Sequence, residues 1–376
     1  MTQISAKSIL ASIDSRGNRI DTILVTFPRF LLAELNTHRI FSRNSASSRA
    51  IPFEKMVESV EQNPFIPIAW QKDHKGMQGT EYFTDELNDI PHLNRMWLSG
   101  KDSAVGISKS MYNCFENKDG TIEGVTKQLC NRLLEPFMWH TVLISFTEIQ
   151  NFFNLRCPQY GNDEQGYYKS KKDAIRGLQN KGVDISNLIK STDLEWLKIN
   201  KGQSEIHMMA LAECIYDCIN EAKVQRLKNG EWHIPFSDNI ELSVLDKYYI
   251  FNKFTNIESI NDLKIRIATA RCARISYTTV GDNKQNSIES DLKLHDRLME
   301  SSHWSPFEHI AQSMSELEYY SFIKGKIPTI IEDLGDIVNC ETYATGKYSN
   351  KNEKRYGWCN NFKGFISYRY QLENKI

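Results

Sequence analysis

The chain has 376 residues with a formal net charge of −1, 40% hydrophobic and 11% aromatic. That length can bury a large core, that apolar content excludes a disordered chain, and the near balance of charge leaves no global field to draw nucleic acid or a membrane surface. No window approaches a membrane span and Met1-Thr-Gln-Ile-Ser-Ala-Lys7 lacks a secretory pattern, so a cytoplasmic protein is expected.

In chain order, Asp21 to Phe27 is apolar and β-branched enough for a strand, and Pro28 opens a helix at a position that tolerates proline. That helix is expected to run through Leu31, Leu32 and Leu35 and to deliver His38 and Arg39 near its end. From Thr37 to Arg49, thirteen residues carry three arginines, one histidine, one asparagine and four serines, with no acid. Such donors suit an irregular loop, either converging on an anion such as phosphate or forming a basic surface turn. Segment 61–110, with scattered Pro, Gly, Asn and His, reads as loop-rich. Thr121 to Pro136 places Val125, Leu129, Leu133 and Leu134 at helical spacing, and Thr147 with Gln150 makes a capping box for a helix carrying Asn151 and Arg156. The stretch from Arg156 to Gln203, rich in Lys, Asn, Gln and Asp, reads as an insertion, either a lid or a solvated excursion. Glu289 to Ser301 reads as an amphipathic helix with Leu292, His295 and Leu298 on one face.

Eight cysteines in a chain this long do not make a disulfide scaffold, and no Cys-x-x-Cys pair occurs. Ile206, Ala210, Cys214 and Cys218 form one stripe at spacing four, which suits buried small hydrophobes rather than zinc.

His38-Arg39-x-x-Ser42-x-Asn44-x-x-Ser47-x-Arg49 resembles the signature of the flavin-dependent thymidylate synthases, Arg-His-Arg-x-x-Ser-x-Asn-(Glu)-x-Ser-x-Arg. Two positions depart from it: Thr37 stands for the leading arginine and Ser45 for the usual glutamate. Asn151-Phe-Phe-Asn-Leu-Arg156, with Gln203-Ser-Glu-Ile206, is similar to that family's Asn-Phe-x-x-Leu-Arg…Ala-Gln-x-Glu-Ile segment. Ala270-Arg-Cys-Ala-Arg-Ile-Ser-Tyr277 resembles its Ala-Ala-Arg-Val-Ser-Phe run, and His303-Trp-Ser-Pro-Phe-Glu-His309 its His-x-(Ser/Thr)-Pro-Phe-Glu-His element. In ordinary members the last two pieces precede the arginine-rich motif. Here they follow it by more than two hundred residues, each piece once, which implies a circular permutation.

The resemblance implies an α+β fold, a twisted sheet with helices, circularly permuted with insertions. One catalytic core over 1–376 would be assembled from segments near 20–60, 120–157, 200–222 and 265–315, with insertions 61–110 and 158–200 and an extension 316–376 that has no counterpart in the family. Within that extension, Asn360 to Tyr370 would either close over an active site or simply pack. The implied reaction is reductive methylation of dUMP at C5 to dTMP, with FAD as cofactor and NADPH and methylenetetrahydrofolate as co-substrates. Flavin then carries the hard step, and the protein binds, orients and polarises. By matching position, Ser47, Arg49, Arg156 and Gln203 would hold the nucleotide, Arg156 through either the phosphate or the pyrimidine edge. Glu34 stands at a nucleotide-contacting position and would face a base N–H or another arginine. His38, Arg39, Asn151, His303 and Ser305 match flavin-contacting positions, with Arg39, Ser47 and Arg156 the expected catalytic set. His309 and Glu308 are expected to be structural, Glu308 pairing with an arginine. Ser42 and Asn44 would hold the loop, and Arg43 and Ser48 lie off the motif, facing solvent. Cys157-Pro-Gln-Tyr160 lacks the Pro-Cys-His setting of the unrelated thymidylate synthase class, which speaks against a cysteine nucleophile.

The family's sites form between subunits of a homotetramer, so a homo-oligomer is implied. Enlarged, permuted layouts resemble phage-encoded members, placing the protein in the host cytoplasm. Thr37, Ser45 and Glu34 also motivate a neighbouring reading, methylation or hydroxymethylation of dCMP or dUMP for modified phage DNA. A third reading is a non-catalytic nucleotide- or RNA-binding protein of the same fold.

Overall fold

The computed structural model describes residues 3–75, 79, 81–85, 88–116, 119–162, 166–199, 204–237, 257–277, 287–323 and 355–374. Strands β1 (Ser5–Ile13), β2 (Arg19–Pro28) and β3 (Ser42–Ser45) belong to one five-stranded sheet with β6 (Trp139–Phe146) and β9 (Val224–Arg226). Between these lie two short hairpins, β4 (Phe115–Glu116) with β5 (Ile122–Glu123), and β7 (Tyr160–Asn162) with β8 (Gly166–Tyr168). The large sheet is ordered β3-β6-β2-β1-β9, antiparallel except where β1 meets β9. The fold is α+β.

Alternation along β2 and β6 sends Ile23, Val25, Phe27, Val142, Ile144 and Phe146 to one face, where they meet Met208, Leu211 and Ile215 of the helix Ile206–Glu221. Glu205 caps that helix, its carboxylate accepting from the His207 and Met208 amides where the helix dipole favours negative charge. Leu143 points to the opposite face and packs with Ile265, Ala268 and Cys272 of the helix Ile260–Arg274, and with Ile310. The sheet is thus covered by helices on both sides. Asp291, fully buried, joins Ile260–Arg274 to the next helix, Ile288–Glu300, by accepting from Arg271 at 3.4 Å and Arg274 at 2.9 Å. That second helix lies within one residue of the sequence expectation, with Leu292, His295 and Leu298 buried together as expected.

A smaller sheet unites β10 (Trp232–His233), β11 (Ala311–Ser313) and β14 (Phe365–Ser367), the last preceded by the hairpin β12 (Trp358–Cys359) and β13 (Phe362–Lys363). Residues 358–369 are therefore built into the core. Tyr368 packs on His295 and Phe307, and Arg369 pairs with Glu308, the arginine partner expected for that glutamate. His309, fully buried, ends a polar chain through the sheets: Ser12 Oγ to His233 Nδ1 at 2.8 Å, His233 Nε2 to Thr22 Oγ1 at 2.8 Å, Thr22 to Ser145 at 2.6 Å, and Ser145 to His309 Nδ1 at 2.9 Å. The three hydroxyls and both His233 nitrogens are satisfied in that chain, which fixes how the 303–309 segment meets the sheet. His309 Nε2 at its end is buried with no hydrogen-bond partner among the described residues.

Five local expectations are corrected. The serine-rich stretch is not all irregular: Ser42–Ser45 forms β3, because β6 offers it a backbone ladder despite weak strand propensity. Segment 61–110 is not loop-rich throughout, since Asp89–Tyr112 is a 24-residue helix that buries only Val105 and Ser108 fully and so shows little periodicity. Thr121 to Pro136 is not one helix. It contains β5, the short helix Lys127–Cys130 and a 3-10 stretch Asn131–Phe137, leaving Leu129 and Leu133 exposed. No side chain caps the helix Gln150–Arg156, and Thr147 Oγ1 instead accepts the Lys363 amide at 2.9 Å. The insertion after Arg156 is not a solvated excursion: Tyr160, Ala174 and Trp196 form their own buried cluster, and Tyr160 Oη and the Lys171 amide donate to Glu213 at 3.0 and 2.6 Å.

Candidate active site

Beyond β2, Pro28 leads into a 3-10 turn, Arg29–Leu31, and one helical turn, Leu32–Leu35, anchored by buried Leu31 and Leu35. The helix is shorter than expected and stops before His38. Thr37 closes it by donating its hydroxyl to the Glu34 carbonyl at 2.7 Å. The chain then tucks His38 inward, stacked on Phe41 at 5.9 Å and against the edge of Phe152 at 4.9 Å. Phe152 and Phe153 anchor the helix Gln150–Arg156 in the same core, so Asn151 is left at the surface beside His38 and Arg156 lies at the helix C-terminus. A cation is favourable there.

Arg156 gathers four residues from two segments around one guanidinium. Its Nη1 pairs with the Glu34 carboxylate and reaches Ser204 Oγ at 3.3 Å, Nε donates to His38 Nε2 at 3.1 Å, and Nη2 approaches Thr37 Oγ1 at 3.5 Å. Burial lifts the Glu34 carboxyl above its ordinary range, Arg156 draws it back down, and Glu205 adds to the rise. Burial first, then Arg156 and Arg43, hold His38 down at about 4, so its ring is neutral at pH 7 and its Nε2 accepts. Glu34, expected to face a base N–H or an arginine, faces an arginine.

His38, Arg39 and Asn151 line one cavity of about 550 Å³ with Thr37, Phe41, Glu148, Gln150, Trp358 and Lys363. Two cations against one carboxylate, two amides and aromatic surface around one space can hold a planar ligand with an anionic part. The other two expected flavin contacts, His303 and Ser305, do not line it. His303 is exposed, and Ser305 Oγ donates to the Arg43 carbonyl at 3.0 Å.

The expected nucleotide set falls into two groups within one chain. Arg156 belongs to the cluster above. Ser47 and Arg49 follow β3 toward a separate core: the Ser47 amide donates to the Ser276 carbonyl at 3.1 Å, and exposed Arg49 donates to Gln128 Oε1 at 3.2 Å. Gln203 lies outside the described residues. Asn44 holds the loop as expected, donating to the Cys272 carbonyl and accepting from Ser276 Oγ at 3.1 Å. Ser48 and Arg43, expected to face solvent, do not: Ser48 is buried and donates to Glu135 at 3.0 Å, and half-buried Arg43 donates to the Leu35 carbonyl at 3.4 Å. Cys157 is buried, and burial pushes its thiol far above the range where a thiolate forms.

Sequence reasoning missed Ser204, which sits inside a quoted motif next to Gln203, and Thr37, which was read only as a departure. It also missed Trp358, and it gave no role to Lys363, which lies in the Asn360–Tyr370 run expected either to close over an active site or to pack. Among the described residues, no cluster of three His, Cys, Asp or Glu could hold a metal, and no helix is long and apolar enough to cross a membrane.

No family model matches the chain, and no curated protein matches it. Two solved structures of the UMP/dUMP methylase PolB from Streptomyces cacaoi are similar to it at a TM-score of 0.33. The one bound with 5-Br dUMP is 13% identical and covers 48% of this chain and 89% of its own; the one bound with 5-Br UMP is 11% identical and covers 59% and 90%. Likeness at that level is too slight to assign an activity.

Proposed function

We propose that the chain is a circularly permuted flavin-dependent enzyme that methylates dUMP at C5 with methylenetetrahydrofolate and NADPH. The observation that carries this reading is convergence. Four sequence pieces, two of them displaced by more than two hundred residues, pack on one another. Arg156 meets Glu34, Thr37, His38 and Ser204. The 270–277 run holds Asn44 and Ser47 through Cys272 and Ser276, and the 303–309 run holds Arg43 through Ser305. Pieces that share only a chance resemblance would have no reason each to contact the 34–47 stretch, the Arg156 piece at 34–38 and the other two at 43–47.

In this reading the cavity beside His38 takes FAD, which supplies the electron transfer when bound. Arg39 provides positive charge toward an anionic part of the ring system, and Asn151 offers an amide to its polar edge. His38, neutral and fixed between aromatic rings, orients Arg156. Arg156 holds the nucleotide, with Glu34 keeping its guanidinium in place until an anion arrives. Ser47 and Arg49 complete the phosphate site from a second copy of the chain, which accounts for their separation from Arg156 here.

The neighbouring reading, dCMP as substrate or hydroxymethyl as product, rests on Glu34, a carboxylate that can accept from the cytosine amino group. One experiment separates the readings. The protein is incubated anaerobically with FAD, NADPH, methylenetetrahydrofolate and equal dUMP and dCMP, and the nucleotides are analysed by mass spectrometry. A methyl gain on dUMP alone is expected. Any gain on dCMP, or a hydroxymethyl product, replaces the reading with its neighbour, and inactivity on both with FAD bound refutes each.

A further inference from the structure

The hairpin β12–β13 lies in the extension for which the motif resemblance offers no counterpart, yet it supplies Trp358 and Lys363 to the cavity of His38, Arg39 and Asn151. Its construction explains how. Trp358 pairs directly with Lys363 and Cys359 with Phe362. Residues opposite one another in an antiparallel pair project to the same face, and successive residues to opposite faces. Cys359 and Phe362 are accordingly buried in the core, 2% exposed each, while half-buried Trp358 and Lys363 line the cavity.

The hairpin is also tied on every side. Asn360 turns it in the left-handed region at φ 51°, which asparagine tolerates. Gly357 donates to the Phe322 carbonyl at 2.7 Å and Gly364 to the Gly357 carbonyl at 2.7 Å. Gly364, at φ 79°, has no room for a side chain, because a Cβ would lie 2.6 Å from Asp14 Oδ2. The Lys363 amide bonds to Thr147, the residue before the wall formed by Glu148 to Phe152. Neither Lys363 nor Arg39 has an ion-pair partner among the described residues, although exposed Glu148 lies in the same lining.

Resting on the flavin reading above, we propose that this hairpin is a ligand-binding wall particular to this chain, with Trp358 lying against an aromatic ring and Lys363 taking a phosphate of a diphosphate-bearing dinucleotide, FAD. A cation without a carboxylate partner, held on a rigid backbone beside an aromatic face, fits that chemistry.

The test is FAD titration of the full chain by flavin fluorescence, at low and high salt, with melting curves as the folding control. Lys363→Gln keeps the backbone bond to Thr147 and is expected to weaken FAD about tenfold, the loss of one charge-assisted bond, and to reduce the salt dependence. Lys363→Arg retains most of the affinity. Trp358→Leu weakens binding and Trp358→Phe restores most of it, the aromatic pair keeping the test valid if leucine disturbs folding. If Lys363→Gln and Trp358→Leu bind FAD like the parent while Arg39→Gln binds weakly, the hairpin proposal is overturned and the flavin reading stands. If the unaltered chain binds no FAD, the flavin reading fails and the proposal falls with it.

Discussion

Glu34→Gln probes the centre of the proposed site. The pair with Arg156 is partly exposed, at 30% for the Glu34 side chain and 19% for Arg156, so solvent screens it and the stability lost is about 1 kcal/mol or less. Glutamine keeps an amide oxygen for the guanidinium, and Arg156 keeps His38 and Ser204. For a chain of 376 residues the melting temperature should fall by about 1–2 °C at most. Ligand binding should move the other way. A carboxylate next to an incoming phosphate dianion repels it by about 1 kcal/mol even in water, so its removal should tighten dUMP about fivefold, and less at high salt. Calorimetric titration with dUMP at two salt concentrations measures this. Weakening of dUMP by about tenfold or more would refute the reasoning, because it would mean that Glu34 contacts the ligand instead of competing with it.

The remaining predictions concern the same framework. Arg49→Met removes an exposed side chain bonded only to Gln128 among the described residues, so stability should change by about 0.5 kcal/mol or less while dUMP weakens about tenfold; unchanged affinity would remove Arg49 from the site. Burial holds His233 and His309 down at about 3, and His38 stands at about 4, all below the ordinary histidine value. Their folded forms refuse protons that the unfolded chain accepts as pH falls below about 6.5, so each removes up to about 1.4 kcal/mol per pH unit until its folded value is reached. Urea melts at stepped pH should show a steep loss of stability below that point, reduced in His38→Gln; identical slopes in parent and variant would contradict the shift at His38. Burial lifts Glu213 to about 7, so the stability tied to its neutral form is complete below its unfolded value and lost as pH rises toward 7. Glu213→Gln, which never ionises, should therefore gain on the parent across that interval and level off above it, and a constant difference would refute this. Cys157→Ala should leave the rate of product formation unchanged, since the thiol is buried and protonated; a tenfold or greater loss would revive the nucleophile.

Local pattern carried the sequence reading where one element buries one face. The strand around Ile23 to Phe27 and the helix at Ile288–Glu300 were legible for that reason. The stripe expected on Ile206–Glu221 is instead buried only at Ile206 and Ala210: Cys214 and Cys218 are half-buried, and the helix meets the main core through Met208, Leu211 and Ile215. Pattern failed where the neighbour decides. Asp89–Tyr112 contains Pro91, Gly100 and Gly106, and meets its core through a few mixed side chains, such as Trp97 donating to the Phe65 carbonyl at 2.8 Å. Its helical character is visible only once that contact exists. Ser42–Ser45 has serine and arginine where a strand prefers branched residues, and becomes a strand because β6 pairs with it.

By itself the sequence determined the chemistry available: the arginines, the amides and the histidine elements. The expectation of a nucleotide and a flavin came from the resemblance of their motifs to the flavin-dependent thymidylate synthases. Tertiary structure alone decided which of these meet. It put Glu34 on Arg156, Arg49 on Gln128, Trp358 and Lys363 in the lining of the cavity, and His309 at the end of a buried polar chain. The reason is physical. Periodicity reports how one segment divides between core and water, whereas the partner of a guanidinium more than a hundred residues away depends on strand order and register, which no local window contains.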